Sequence, residues 1–254
     1  MTELLGLYPE ELREWLQARG EAAFRAKQLF GWLHRGVPFA EMSNLPLKLR
    51  ELLPKEAVDC PVQVIRERTS RLDGTKKLLF SLRDGNCVEG VLMRYQYGIT
   101  LCISTQVGCR MGGRFCASTL SGCIRGLSAA EMLGEVLAAN GVLDGEQVHN
   151  IVLMGSGEPF DNYDNVVRFL RLAGHPEGLN ISPRRISLST CGLVPQILRF
   201  SGEGIPLTMS LSLHAPNDEI RRQIMPIAKA AAIFSFMMVS SISLVSDWVE
   251  LFLF

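Results

Sequence analysis

The stretch LCISTQVGCRMGGRFCAS, Leu101 to Ser118, decides how the rest of the chain is read. It continues an apolar run, GITLCIS from Gly98 to Ser104, of strand length and strand composition, and passes directly into a glycine-rich loop holding Cys109 and Cys116. Glycines permit the tight turns by which thiolates converge on one side of a loop, as an iron–sulfur cluster requires. Two thiols in such a loop are also open to a plainer reading as buried small hydrophobes, so their spacing alone does not choose.

Downstream of this loop, SAAEMLGEVLAA reads as a helix opened by a capping box of Ser128 and Glu131. Further strand-length runs follow, NIVLMG from Asn150, RISLST from Arg185 and LTMSLSL from Leu207, with helix-length segments between them. Four βα units in series predict a parallel sheet whose functional loops gather at the carboxyl ends of the strands. Upstream, from Pro61 to about Met93, short runs broken by Asp73-Gly74 and Asp84-Gly85 predict a small antiparallel meander. Residues 1 to about 55 read as helical, with Pro9 in a first turn, Leu12, Trp15 and Leu16 on one face, and Gly20 as a cap. A second helix is expected from Glu21 to about His34 on Phe24, Leu29, Phe30 and Leu33, leaving Arg25, Lys27 and Arg35 for solvent or phosphate.

With 254 residues, 47% of them hydrophobic and 20% charged, the chain can build one sizeable core and a smaller appended unit. Lys and Arg number 26, as do Asp and Glu, so no global field draws it to nucleic acid and any such contact must come from local patches. The start, MTELLGLYPEEL, has neither a basic segment nor a long apolar one, so a cytoplasmic location is expected. Seven cysteines, an odd number, fit ligands, catalytic thiols or buried groups better than a disulfide framework. The last segment, residues 228–254, differs in composition from everything before it. Ala230 to Ser246 carries no charge but is diluted by serines, which favours a shifted frame or a truncated end over a membrane anchor.

The segment from Leu101 to Ser118 resembles the cluster loop of the radical S-adenosylmethionine (SAM) RNA methyltransferases that modify carbon 2 of adenine, the RlmN family. The resemblance extends over roughly residues 1–227. The family pattern is CxxxCxxC, three thiolates holding a [4Fe–4S] cluster whose open iron takes SAM. Cys109 and Cys116 occupy the first and third places, and Gly113, which has no side chain to ligate iron, occupies the second. GSGEPFDN, Gly155 to Asn162, resembles the family's GEP turn, which implies that Gly157 and Glu158 meet the amino group of SAM. SLSTCG and SLSLHAPND match further segments, implying SAM contacts by Ser189, Ser212, Leu213 and His214, and Phe115 falls where radical SAM proteins pack the adenine. Within CVEGVLM, Glu89 resembles the proton acceptor, and Cys102 resembles the thiol that resolves a covalent enzyme–RNA adduct.

The fold so implied is α/β, an incomplete (βα)6 partial TIM barrel of the radical SAM kind. It divides into a helical RNA-contacting unit at 1–60, a β meander at 61–94, the radical SAM core at 95–227 and the apolar tail at 228–254. The implied activity methylates adenine C2 in 23S rRNA and tRNA through a methylated cysteine, for which no candidate follows Cys191 in this sequence. The implied cofactors are the [4Fe–4S] cluster and SAM, the implied partners the two RNAs and a reductant such as flavodoxin or ferredoxin, with no membrane partner and a monomeric state. An inactive relative with residual RNA or SAM binding, and the sister methyltransferase acting at adenine C8, are the alternative readings.

Overall fold

The computed structural model describes residues 1–229 and the pair 249–250. Most of the 228–254 tail, including Ala230 to Ser246, lies outside the described residues, among which no helix is long and apolar enough to cross a membrane. In chain order the elements are β1 (Thr2–Glu3), α1 (Pro9–Gln17), α2 (Arg25–Leu33), α3 (Leu47–Glu56), β2 (Ala57–Val58), β3 (Val62–Thr69), β4 (Lys76–Leu82), β5 (Cys87–Tyr95) and β6 (Gly98–Ile103). There follow β7 (Gln106–Gly108), β8 (Cys123–Gly126), α4 (Ala129–Asn140), β9 (Asn150–Leu153), α5 (Tyr163–Ala173), β10 (Ile186–Thr190), α6 (Val194–Ser201), β11 (Thr208–Leu211), α7 (Asp218–Ile224) and β12 (Val249–Glu250).

An eight-stranded sheet runs in the order β12-β11-β10-β9-β6-β5-β4-β3. The four βα units read from the sequence form its parallel half, since β6, β9, β10 and β11 pair in parallel. The meander is the antiparallel wing of that same sheet rather than a separate layer, because β5 pairs directly with β6. Its turns carry the expected glycines in the left-handed region, Gly74 at φ +70° and Gly85 at φ +84°. The sequence leaves β11 as an unpaired edge, but β12 lies along it, joining Met209 to Val249 and Ser210 to Glu250.

Period-two alternation gives the sheet two unlike faces. Phe80, Leu92, Leu101, Ile151, Leu188 and Met209 are buried on the face that α4 and its neighbours cover. The capping box of Ser128 and Glu131 is present at the start of α4, which is buried over most of its length. The N-terminal helices share this core, and Arg168 on α5 donates to both carboxylate oxygens of Glu11 and to the Gly6 carbonyl. The second helix starts at Arg25, not Glu21, because turns from Ala22 and Ala23 precede it. Phe24 therefore lies outside it, exposed beneath the Arg25 guanidinium.

The opposite face is open and carries the functional candidates. The pairing register puts Arg68, Lys77, Val91, Cys102, Val152, Ser187 and Thr208 in one row across it. Arg66, Leu79 and Glu89 form the next row.

Candidate active site

β9, β10 and β11 end side by side, and the cleft beyond their carboxyl ends encloses about 270 Å³. Its walls include Cys109 and Cys116 from the loop after β6, Gly157 and Glu158 after β9, Ser189 on β10, and Ser212 and His214 after β11. This is where an open α/β sheet collects loops from several strands and therefore places ligands.

The GEP turn is held from within. The buried Glu158 accepts through Oε1 from Thr190 Oγ1 at 2.7 Å and from the Phe160 amide at 3.2 Å, and through Oε2 from the Cys191 amide at 2.7 Å. Burial raises its pKa, and these donors work against that rise. Gly157 stands at φ +105°, and a Cβ there would lie 2.7 Å from the Gln106 backbone nitrogen, so only glycine fits. Gln106 accepts the Glu158 N–H at 2.9 Å through its side-chain oxygen. Glu158 thus ties the turn after β9 to the end of β10, and a carboxylate oxygen with one bonded donor still has room for an ammonium.

Beside it, the Ser189 and Ser212 hydroxyls lie 3.1 Å apart, and Ser210 Oγ lines the cleft buried and without a hydrogen-bond partner among the described residues. Phe115 packs on His214, ring centroids 4.5 Å apart, with His214 at φ +57°. An apolar wall, an orphaned hydroxyl and a glycine cradle fit a ligand such as SAM, which pairs an aromatic base with amino-acid polar groups. Leu213 does not line this cleft. Its side chain packs with Leu211 and Val194, and its carbonyl accepts from Arg221.

Arg221 is a member the sequence reading misses. Fully buried, it donates to the carbonyls of Cys191, Ser212 and Leu213, cross-linking the ends of β10 and β11. In the sequence it stands in a polar run, DEIRRQI, where nothing separates it from the solvated Arg222. Thr190, Gln106 and Ser210 were likewise unsignalled.

The cluster loop is ordered by a backbone bond within it, the Cys116 amide donating to Gly113 O at 3.0 Å, and by one to the end of α7, the Arg114 amide donating to Ile224 O at 2.9 Å. Cys109 is buried with Met111, Cys191 and Met225, and burial raises the pKa of its thiol. Cys123 sits on β8 outside the cleft lining. Among the described residues no three His, Cys, Asp or Glu side chains converge to hold a metal ion. Cys109 and Cys116 alone therefore do not fit a [4Fe–4S] cluster, which takes its hold from converging thiolates.

Glu89 and Cys102 stand apart from the cleft but on the same open face as Ser189 and Ser210, reached through the register of β5, β6, β9, β10 and β11. Cys102 is opposite Val91, which makes Glu89 its diagonal neighbour at roughly 7 Å. Glu89 is exposed and paired with Lys77 at 2.8 Å, while burial pushes the Cys102 thiol up to about 11.

A partial barrel with a cysteine loop after its first parallel strand and a GEP turn after the second defines a radical SAM protein, and residues 103–237 match the Radical SAM superfamily. Residues 2–58 match the ribosomal RNA large subunit methyltransferase N-terminal domain. The chain is 50% identical over 235 residues to a probable dual-specificity RNA methyltransferase RlmN of Clostridium perfringens, covering 92% of this chain and 67% of that protein. It is 47% identical over 234 residues to the one of Geobacillus kaustophilus, covering 91% and 64%. The crystal structure of a radical SAM methyltransferase from Sphaerobacter thermophilus superimposes with a TM-score of 0.92 at 38% identity, over 99% of this chain and 75% of that one. The chain belongs to the RlmN family, and spans about two thirds of the length of the curated relatives it matches.

Proposed function

We propose that this chain carries the SAM-binding and RNA-facing machinery of a methyl transfer to carbon 2 of adenine in 23S ribosomal RNA and transfer RNA. The observation that carries the reading is the shared face: the cleft of Ser189, Ser210 and Ser212 opens onto the same side of the sheet as Cys102 and Glu89. SAM, when bound, supplies the methyl group. Glu158 and the serine hydroxyls receive its polar groups, and Phe115 with His214 offers a ring surface for its adenine. An RNA adenine laid on the open face meets Cys102, and Glu89 is the carboxylate in position to accept a proton. Burial pushes the Cys102 thiol up to about 11, so it reacts as a nucleophile only once it has lost its proton.

A second reading rests on Gly113: a member of the family that binds SAM and RNA without transferring methyl. One experiment separates them. The purified chain, reconstituted anaerobically with iron and sulfide, is given methyl-labelled SAM and a transcript of the 23S segment or a tRNA. Label in adenine C2 that disappears in Glu89→Gln establishes the first reading, and label at C8 moves the site to the sister reaction. Saturable SAM binding without labelled RNA establishes the second reading, and absence of SAM binding sinks both.

A further inference from the structure

The net charge of zero leaves RNA binding to local patches, and the open face has one. Arg66 and Arg68 on β3, with Lys77, Leu79 and Glu89, line a hollow of about 220 Å³ on the antiparallel wing. Lys77 is paired with Glu89. Arg66 and Arg68 form no ion pair among the described residues, so the positive charge of both is uncompensated. Their placement is not incidental to the site. Arg68 shares its row with Cys102, and Arg66 shares its row with Glu89, two strands or about 10 Å away.

We propose that Arg66, Arg68 and Lys77 form a seat for the phosphates of a single RNA strand whose neighbouring adenine reaches Glu89 and Cys102. The inference rests on the RNA reading above and adds where the strand lies and what it does to Glu89. Two guanidiniums offer forked donors to phosphate oxygens, which a lone ammonium does not. A phosphate entering the hollow also competes for Lys77, and as the ammonium turns to it the Glu89 carboxylate loses its partner and is freed to take a proton. RNA engagement and the readiness of the base are thereby coupled through one lysine.

The test is fluorescence anisotropy of a labelled single-stranded RNA of about 12 nucleotides, within the range a strand-tracking groove takes, titrated with the full chain across a salt series. The Arg66→Gln, Arg68→Gln double variant is expected to bind about tenfold or more weakly, with the slope of log affinity against log salt reduced by about 1.4, two phosphate contacts at about 0.7 each. The control, Arg171→Gln with Arg199→Gln, removes two charges on the helix-covered side, each ion-paired there with Glu203 or Asp164, and is expected to leave that slope unchanged. Both substituted pairs are exposed, and an unchanged thermal melt shows that the fold is retained. Equal losses in the two double variants, or no loss in the first while the parent chain binds RNA, overturns the seat and leaves the RNA reading standing. A parent chain that binds no RNA overturns both.

Discussion

Replacing Gly113 by cysteine tests whether the cluster loop lacks anything beyond one ligand. A Cβ built on Gly113 would lie 3.7 Å from the Cys116 Cβ and 3.7 Å from the edge of the Phe115 ring, ordinary contacts that require no neighbour to move. Its φ is outside the left-handed region, unlike that of Gly112 at +71°, so a side chain costs no backbone strain. Losing glycine's unfolded-state freedom should instead stabilise the chain by about 0.4–1 kcal/mol. On the binding side, four-ligand structural zinc sites are worth about 10–16 kcal/mol, or roughly 3 kcal/mol per ligand, so by the same scale the third thiolate should tighten the hold on the cluster by about two orders of magnitude. The same Cβ separation lies within the range that a disulfide takes, roughly 3.5–4.5 Å, so the introduced thiol and Cys116 must be kept reduced. Anaerobic reconstitution of both proteins, followed by iron and sulfide analysis and an absorption spectrum, reads the outcome. Gly113→Cys should hold close to about four irons per chain, and the parent far fewer. Equal iron in the two proteins, with both folded and reduced, refutes the reasoning.

Three further outcomes follow from the buried groups. Glu158→Gln keeps one side-chain acceptor where three donors converge and turns an amide N–H toward one of them, so SAM affinity by equilibrium dialysis should fall about tenfold or more, with a lower melting temperature. His34, whose ring packs 4.1 Å from Phe30 with neither nitrogen hydrogen-bonded among the described residues, is held by burial at a pKa of about 4. The unfolded chain takes up that proton first, so stability should be lost as pH falls from 6.5 toward 4, by about 3 kcal/mol in total. His34→Met should remove that increment, as urea unfolding at pH 7.5 and pH 5 would show. Alkylation of Cys102 by iodoacetamide, followed by mass spectrometry, should be slow at pH 7 and rise steadily toward pH 11, because burial disfavours the thiolate.

The fold was legible because its signals are local. Strand-length apolar runs at Gly98, Asn150, Arg185 and Leu207, and aspartate–glycine turns at 73–74 and 84–85, each declare themselves within a few residues. The union of the meander with the parallel sheet was not, since it depends on β5 reaching β6 through a tight turn that equally suits a detached hairpin. In the site, the positions of Cys109, Cys116 and Gly157 follow from motif spacing, but the inward bonds of Glu158 do not, since Thr190 and Cys191 arrive from another strand more than thirty residues on. Leu213 shows the converse. A motif match names the residue, yet the surroundings of Val194 and Leu211 draw its side chain off the cleft.

The bonds that tie the strand ends together and those that close the cluster loop are made by different groups, and this decides how far the effect of Gly113 reaches. Glu158 fixes the turn after β9 to β10, and Arg221 fixes the end of β10 to that of β11, with no group from residues 110–118 in either link. The loop is closed by the Cys116 and Arg114 amides on Gly113 and Ile224 carbonyls. The two meet where Cys109 and Met111 pack against Cys191 and Met225, where the Ser118 and Ser156 hydroxyls lie 3.2 Å apart, and where Arg110 pairs with Asp161, contacts that need no metal to form. A missing thiolate at position 113 therefore subtracts ligand-holding capacity from the loop while the strand-end ties that shape the SAM cleft stay in place. Binding of SAM and assembly of the cluster become separable properties, so SAM affinity in the parent chain and in Gly113→Cys, both free of iron, should agree within about twofold, a difference of roughly 0.4 kcal/mol. Gly113 lines the cleft, but a Cβ there meets only Cys116 and Phe115 at 3.7 Å, so a large change in the variant's affinity without iron would mean that the loop, and not the strand-end ties, sets the fit for SAM.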